Sequence, residues 1–452
     1  MTVTVRFAPS PTGYIHVGNL RPAILNALYA RANGGTFILR LDDTDEERST
    51  PEYAAAIKED LGWLGLAWDR LETQSSRKAR YDEIKTALVD AGLLYPCYET
   101  PEELDLKRKI ALNAGRPPVY DRAALTLTDD DRKAFEGEGR APHYRFKLPA
   151  ITAQWDDGIV GHKAVDLTTQ SDPVLIRADG TMLYTLPSVT DDLDFGVTHI
   201  IRGDDHTTNT AVQLAIFAEV AKIMGKGTDA IPSFAHHALI VGADGAGLSK
   251  RLGSLAVREF RDRGYEPIAL LSLMARIGTS DPVDLAANFD ELAAGFTFDK
   301  VSHSQARFDE VELDHLNARF VHEQGFDAVA DELSGLGVSG PQAAGFWDAV
   351  KANLTRVQQA ADWWPVVADQ ITPVIADDDR EFIAGAAAHL PDVLDGDAWG
   401  VWTKALKQET GRKGKQLFMP LRQALTAKDH GPELKNLLPL IPRDEVLRRL
   451  GA

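Results

Sequence analysis

The feature that most constrains the fold is a proline- and glycine-rich run, RFAPSPTGYIHVGN at residues 6–19, which separates two segments of different periodicity. Residues 2–8 alternate β-branched and polar side chains, as a strand does, whereas the apolar residues after the run recur at helical spacing. A second apolar strand follows at 37–41, and amphipathic helical patterns follow at 51–64 and 80–93. This order predicts the opening of a parallel α/β sheet.

The α/β pattern is interrupted and then resumes. Residues 99–183 are charged and Pro-containing with short strand-like runs, which predicts an inserted α+β domain. A strand at 197–202, a helix at 210–223 and a strand at 236–241 then continue the sheet, and from 255 onward the spacing is helical. The predicted divisions are 1–98 and 184–254 for the two halves of an α/β domain, 99–183 for the insertion, 255–320 for a connecting helical domain and 321–452 for a helical region of two subdomains.

The composition limits the class of protein. A chain of 452 residues predicts several domains, and it contains no apolar run of about 18 residues, so we expect no membrane span. No export signal is visible, which favours the cytoplasm. The single cysteine, Cys97, excludes an internal disulfide and a cysteine-rich zinc site, and its apolar surroundings favour a structural role over that of a nucleophile.

The charge is negative overall but uneven. The formal net charge of −18 argues against nucleic acid, yet residues 401–452 hold 11 Lys or Arg against five Asp or Glu, a net of +6. Residues 325–400 hold three against 13, a net of −10. The basic C-terminal segment is compatible either with an anionic partner or with a solvated helix face.

The run at 6–19 has the chemistry of a phosphate site. Gly13 and Gly18 let a ligand approach the backbone, while His16 and Asn19 offer hydrogen bonds beside the positive N-terminus of the predicted helix. Taken alone, the Pro-Ser-Pro-Thr-Gly run is typical of a simple loop, and a single His near a helix start is more often a helix cap or a surface residue than a ligand.

A second glycine-rich loop, GADGAGLSKRLGS at 242–254, carries three polar or cationic residues: Ser249, Lys250 and Arg251. Such a loop can close over a polyphosphate and offset the charge that builds up in phosphoryl or nucleotidyl transfer. A P-loop is the competing interpretation, but Leu248 and Ser249 stand where a P-loop needs Lys and then Ser or Thr. By itself this signal is weak and is also typical of a solvated turn.

Together the two loops resemble the HIGH and KMSKS motifs of class I aminoacyl-tRNA synthetases, and FAPSPTGYIHVG is similar to the form found in the glutamyl enzymes. The motifs RLDDTDEERSTPE at 40–52, LYTLPSVTDD at 183–192 and IIRGDDH at 200–206 follow in the family's order before GLSKR at 247–251. The resemblance implies a Rossmann-like catalytic domain with an inserted acceptor-end-binding domain, a stem-contact domain and an α-helical anticodon-binding region. It further implies ATP-dependent ligation of L-glutamate to tRNA-Glu through glutamyl-adenylate, with Mg²⁺ accompanying the ATP.

The resemblance also implies roles for individual residues. The catalytic residues would be His16, Ser249 and Lys250. ATP would be bound by Pro9, Ser10, Thr12, Gly13, Gly18, Asn19, Asp205, Lys250 and Arg251. Glutamate would be bound by Arg6, Ala8, Asp42, Tyr184, Ser188 and Arg202. A guanidinium suits bidentate binding of the glutamate side-chain carboxylate and penalises uncharged glutamine.

The chain departs from the family pattern in several places. Gly247 replaces the usual Lys of the second motif, and RLDDTD shortens the expected ammonium partner to Asp42. Some relatives have a cysteine-rich zinc site in the insertion, whereas we expect no structural zinc and no protein-derived metal site here. The arginine that rejects tRNA-Gln in discriminating members aligns near Asn353, with Arg356 three residues on, so we expect that tRNA-Gln is also charged with glutamate if Arg356 does not substitute.

Two rival functions remain open at the level of sequence. A small nucleotidylyltransferase shares the phosphate-binding histidine motif but has little use for a helical C-terminal third. A tRNA-binding synthetase paralogue without charging activity is favoured only by Gly247. The expected partners are tRNA-Glu, tRNA-Gln and L-glutamate, and the expected state is a monomer.

Overall fold

The structure is a computed structural model that describes residues 2–248 and 255–452. It contains two compact units. The first comprises Met1–Phe260 and Leu271–Asp309, and the second comprises Arg261–Leu270 and Glu310–Ala452.

Strands and helices are numbered along the chain. The described strands are β1 (Thr4–Phe7), β2 (Thr36–Leu41), β3 (Arg70–Thr73), β4 (Leu94–Cys97), β5 (His143–Phe146), β6 (Thr152–Asp157), β7 (Gly161–Asp166), β8 (Val174–Ile176), β9 (His199–Gly203), β10 (Ser233–His237), β11 (Ile240–Gly242) and β12 (Ala306–Phe308). The described helices are α1 (Val17–Ala32), α2 (Pro51–Trp63), α3 (Lys78–Asp90), α4 (Pro101–Asn113), α5 (Asp129–Gly137), α6 (Thr185–Asp194), α7 (Thr207–Ile223), α8 (Val257–Asp262), α9 (Pro267–Arg276), α10 (Phe289–Ala294), α11 (Glu310–Glu323), α12 (Phe326–Gly335), α13 (Ala343–Val350), α14 (Trp364–Ala368), α15 (Arg380–Ala386), α16 (Ala398–Thr410), α17 (Lys415–Thr426), α18 (Leu434–Leu437) and α19 (Arg443–Leu450).

A parallel sheet forms the centre of the first unit. β1 pairs in parallel with β2, and β2 with β3, while β9 pairs in parallel with β10. β9 lies beside β1, where the backbone N–H of Thr198 donates to the carbonyl of Thr4 at 2.8 Å. Helix α1 covers β1, β2 and β9 with a face of buried aliphatic residues. The predicted parallel α/β sheet is therefore confirmed.

Two details of the sheet differ from the sequence prediction. β3 was not predicted, because its residues RLET are polar and partly exposed and carry no apolar pattern. The strand predicted at 236–241 is divided into β10 and β11, since the chain leaves the first pairing after His237 and joins β12 from Ile240. A run of apolar residues does not reveal such a change of partner.

The inserted segment contains both strands and helices, as an α+β segment does. β4, β5 and β8 form an antiparallel sheet, β6 and β7 form an antiparallel hairpin, and α4 and α5 have no fully buried residues. The hairpin strand β6 packs against β10 of the central sheet. Cys97 is fully buried beside Tyr95 and Ala124, as expected for a structural cysteine.

The second unit is helical, as predicted. All of Glu310–Ala452 is described, and its regular elements are helices around a core that includes the fully buried Trp347 and Trp402. The indole N–H of Trp402 donates to the carbonyl of Ala386 at 2.9 Å, so this buried polar atom is satisfied. In the described parts of the chain, helices long and apolar enough for a membrane crossing are absent.

Candidate active site

A cavity of about 460 Å³ opens at the carboxyl ends of β1 and β9, the edge at which parallel α/β sheets bind ligands. Twelve residues that the sequence singled out line it: Arg6, Ala8, Pro9, Ser10, His16, Gly18, Asn19, Asp42, Tyr184, Ser188, Arg202 and Asp205. Of the other candidates, Thr12 and Gly13 do not line it, and Ser249, Lys250 and Arg251 lie outside the described residues.

His16 is the N-cap of helix α1. Its Nδ1 accepts from the backbone N–H of Gly18 at 3.1 Å, and its own backbone N–H donates to Oδ1 of Asn19 at 2.7 Å. Because burial lowers the pKa of His16, the ring is neutral near pH 7. With Nδ1 acting as acceptor, the proton is assigned to Nε2, which leaves one donor at the helix N-terminus.

Gly18 has a steric reason to be glycine. A Cβ at this position would lie 2.9 Å from Cε1 and 3.0 Å from Nδ1 of His16. A larger residue would therefore displace the imidazole from its capping position.

A buried network of ion pairs forms one wall of the cavity. Nε and Nη2 of Arg40 donate to the two oxygens of Asp42 at 2.6 and 3.1 Å, and its Nη1 donates to Oδ1 of Asp192 at 2.7 Å. Arg6 also binds Asp192, with Nε 3.1 Å from Oδ1. Although burial opposes the charge of Arg40, the carboxylates of Asp42 and Asp192 outweigh it and raise the pKa of Arg40.

Arg202 differs from Arg6 and Arg40, because no carboxylate of the described residues lies close enough to its guanidinium to form a salt bridge. Its Nη2 donates to Oγ1 of Thr210 at 2.6 Å and to Oε1 of Gln213 at 2.8 Å. Burial and the neighbouring Arg6 lower the pKa of Arg202 to about 10, so it stays charged near neutral pH. The cavity thus presents a cation whose described partners are all neutral, which suits an anionic ligand.

Tyr184 and Ser188 lie on the same side of the cavity at the start of helix α6. The hydroxyl of Tyr184 accepts from Nδ2 of Asn209 at 2.8 Å and is partly exposed. Oγ of Ser188 accepts from Nη2 of Arg40 at 3.2 Å.

Some lining residues were missed by the sequence reasoning. They include Arg40, His206, Gln213 and His237. Arg40 opens the RLDDTD motif and His206 closes IIRGDDH, so both could have been found there. Gln213 and His237 stand in no motif and are recognisable only from the fold.

One group of side chains in the insertion could hold a metal ion. Within the described ranges, Cys97, Glu99 and His143 bring one potential ligand atom each to within 4.8 Å of one another. However, burial raises the pKa of the Cys97 thiol to about 11, and the hydroxyl of Tyr120 donates to Oε1 of Glu99 at 2.7 Å. Three potential ligands are one fewer than the four of a structural zinc site, and the absence of structural zinc stays our prediction.

The two residues aligned with the tRNA-discriminating position lie in the second unit. Asn353 is exposed, whereas the guanidinium of Arg356 is 3.5 Å from Oδ1 of Asp314 and 4.8 Å from the ring centre of Tyr265. Arg356 is therefore engaged with its own unit.

The sheet, the capped helix at its carboxyl edge and the arginine-lined cavity all lie within a segment whose sequence matches the class I aminoacyl-tRNA synthetases. Residues 2–315 match the family model of tRNA synthetases class I (E and Q), catalytic domain, and residues 368–452 match that of an anticodon binding domain.

The chain is 56% identical to glutamate–tRNA ligase 2 of Methylorubrum populi over 99% of its own length and 98% of that protein. It is 53% identical to glutamate–tRNA ligase 1 of Maricaulis maris, again over 99% and 98% of the two chains. The crystal structure of a glutamate tRNA ligase from Elizabethkingia meningosepticum, in complex with its amino acid, superposes with a TM-score of 0.86 at 26% identity, covering 100% of this chain and 99% of that one. The chain belongs to the glutamate–tRNA ligase family. The resemblance seen in the motifs and the predicted fold class are confirmed.

Proposed function

We propose that the protein joins L-glutamate to tRNA-Glu in two steps. The α-carboxylate of glutamate attacks the α-phosphate of ATP, and pyrophosphate leaves. A hydroxyl of the terminal ribose of the tRNA then attacks the acyl carbonyl of glutamyl-adenylate, and AMP leaves. Mg²⁺ bound with ATP would neutralise part of the phosphate charge. We expect these reactions to take place in the cytoplasm and the protein to act as a monomer.

The observation that carries the proposal is the charge balance around Arg202. Arg40 is paired with Asp42 and Asp192, and Arg6 with Asp192, while the hydrogen-bond partners of Arg202 among the described residues are all neutral. The carboxylate of a glutamate side chain would complete this balance, whereas the amide of glutamine would leave the partly buried cation unpaired. In this arrangement Arg6 and Arg202 face the side-chain carboxylate, Tyr184 and Ser188 line the pocket, and Asp42 faces the substrate ammonium.

The ATP half of the proposal rests on the N-terminus of helix α1. The neutral Nε2–H of His16 and the positive end of the helix would stabilise the charge that develops on the transferring phosphate. Pro9, Ser10, Gly18 and Asn19 would lie along the nucleotide, and Asp205 would bind the ribose. Ser249 and Lys250 are assigned to the phosphates by their motif alone. Arg251 is the candidate to supply the positive charge that is missing because Gly247 stands where the motif usually has Lys.

Replacement of Arg202 tests the proposal directly. We expect Arg202→Gln to raise the KM for glutamate by about 100-fold, because a charged hydrogen-bonding partner is lost, and to leave the KM for ATP within about twofold. The control is Arg307→Gln, since Arg307 is exposed in β12 and does not line the cavity. An unchanged KM for glutamate in Arg202→Gln would rule out this pocket.

The choice of tRNA is a separate part of the proposal. Because Arg356 is held by Asp314 and Tyr265, we expect that it does not reject tRNA-Gln. With Asn353 at the aligned position, we expect the protein to accept both tRNA-Glu and tRNA-Gln. Charging of purified tRNA-Glu and tRNA-Gln with glutamate tests this expectation. Comparable rates support it, and charging of tRNA-Glu alone would show that the protein discriminates. Binding of both tRNAs without charging of either would instead favour a non-catalytic paralogue.

A further inference from the structure

A buried chain of hydrogen bonds leads from Arg202 to the inserted segment. Nε of Arg202 is 3.4 Å from Nε2 of His236, and Oγ1 of Thr210 is 2.9 Å from the same nitrogen. On the other side of the ring, Nδ1 of His236 is 2.5 Å from Oδ2 of Asp157. The side chains of His236 and Asp157 are completely buried.

The partners of His236 define its tautomer. An arginine N–H can only donate, so Nε2 of His236 must accept, and the ring proton is assigned to Nδ1, which donates to Asp157. The hydroxyl of Thr210 accepts from Nη2 of Arg202, 2.6 Å away. Its single proton faces both Nε2 of His236 at 2.9 Å and the carbonyl of His206 at 3.2 Å, and we assign it to the shorter contact. Two nitrogens of the guanidinium are thereby fixed, and Nη1 makes no hydrogen bond to the described residues.

Asp157 is itself held rigidly at the end of β6. Its Oδ1 accepts from the backbone N–H groups of His236, Ile159 and Val160 at 3.0 to 3.1 Å, and its Oδ2 also accepts from Nε1 of Trp155 at 3.3 Å. Although burial alone would raise it, these bonds hold the pKa of Asp157 well below its ordinary value. The carboxylate is therefore ionised and cannot rotate without breaking several bonds.

We infer that Asp157 and His236 are positioning residues for Arg202, so that recognition of glutamate depends on a carboxylate supplied by the β6–β7 hairpin of the insertion. Neither residue lines the cavity, and both act through the guanidinium. The inference rests on the proposed role of Arg202 in binding the glutamate side chain.

The substitution Asp157→Asn tests this role with little change of shape. The three backbone N–H groups would keep the amide oxygen at the Oδ1 position, so the amide NH₂ would face Nδ1 of His236. The ring would then have to accept at Nδ1 and carry its proton on Nε2. Two N–H donors, from His236 and Arg202, would face each other, and the hydrogen bond that fixes Arg202 would be lost. We expect the KM for glutamate to rise about 10- to 100-fold, as for loss of a hydrogen bond to a charged group, with kcat and the KM for ATP changed by less than about threefold.

The control is Asp166→Asn, the same change at the exposed end of β7 in the same hairpin, and it should leave all three constants unchanged. His236→Phe keeps the ring volume, removes the Nε2 acceptor and should reproduce the effect of Asp157→Asn. It also provides the test if Asp157→Asn does not fold. An effect on glutamate and ATP alike, or on kcat alone, would overturn the positioning role.

A double-mutant cycle separates positioning from general destabilisation. In an Arg202→Gln background, Asp157→Asn should raise the KM for glutamate by no more than about twofold, since the residue through which it acts is gone. Full additivity would overturn the inference. If Arg202→Gln alone leaves the KM for glutamate unchanged, the proposed pocket fails. If Arg202→Gln has its effect but Asp157→Asn and His236→Phe have none, only the positioning role fails.

Discussion

His16 has two roles in this structure, and the substitution His16→Asn separates them. The side chain caps helix α1 through its bond from Gly18, and it is also proposed to donate from Nε2 to the transferring phosphate. Asparagine is among the best N-cap residues, so it can keep the cap, but its side chain is too short to replace the imidazole donor. Alanine removes both functions.

The expected magnitudes follow from these two roles. Loss of one donor aimed at developing charge costs about 10²- to 10³-fold in kcat, or about 3–4 kcal/mol of transition-state stabilisation, and we expect this loss in both variants. Loss of the cap costs about 1 kcal/mol of stability, and we expect it in His16→Ala alone.

Steady-state charging of tRNA with glutamate gives kcat, and urea unfolding gives the stability of the same preparations. A His16→Asn protein that charges as fast as the wild type would refute the catalytic role and leave His16 a helix cap. Equal destabilisation by asparagine and alanine would refute the capping argument.

Three further predictions concern buried groups. Burial, and secondarily Arg21, lower the pKa of His237 to about 3, so below about pH 6.5 the unfolded chain takes up a proton that the folded chain excludes. Acidification to pH 5 therefore lowers the free energy of unfolding by about 2 kcal/mol through this residue. The substitution His237→Gln should remove that contribution from the difference in unfolding free energy between pH 7 and pH 5. Arg449 is fully buried, pairs with Glu445 and donates to the carbonyls of Val366, Leu425 and Asp369 at 2.6 to 2.9 Å, so Arg449→Met should destabilise the second unit by about 2–4 kcal/mol in urea unfolding followed by tryptophan fluorescence. Arg380→Met should cost less than about 1 kcal/mol, because Arg380 is exposed and pairs with the exposed Asp377. Elemental analysis should find zinc well below one atom per chain, and stoichiometric zinc would contradict this expectation and make Cys97, Glu99 and His143 the first ligands to test.

The parts of the site that the sequence could predict are local ones. The strand β1, the proline-rich turn and helix α1 follow one another within the first 32 residues, so periodicity and turn chemistry suffice to identify a ligand-binding loop. Arg6 and Arg202 could be identified because they stand in recognisable motifs.

What the sequence could not predict depends on distant partners. Arg40 and Asp192 are 152 positions apart, and Asp157 and His236 are 79 apart, yet each pair is buried and bonded. Neither composition nor spacing shows which carboxylate will neutralise which arginine. For the same reason the sequence did not show that Arg202 would have neutral partners among the described residues, which is the feature that best supports its proposed role.

The central claim is that the arginine-lined cavity selects the charged side chain of glutamate for transfer to tRNA. The most direct measurement compares the charging of purified tRNA-Glu with glutamate and with glutamine, using ATP and Mg²⁺ under identical conditions. We predict that kcat/KM for glutamate exceeds that for glutamine by about 10⁴-fold, the discrimination expected when the wrong substrate leaves buried polar groups unpaired. Comparable charging with the two amino acids, or no charging with glutamate, would contradict the claim.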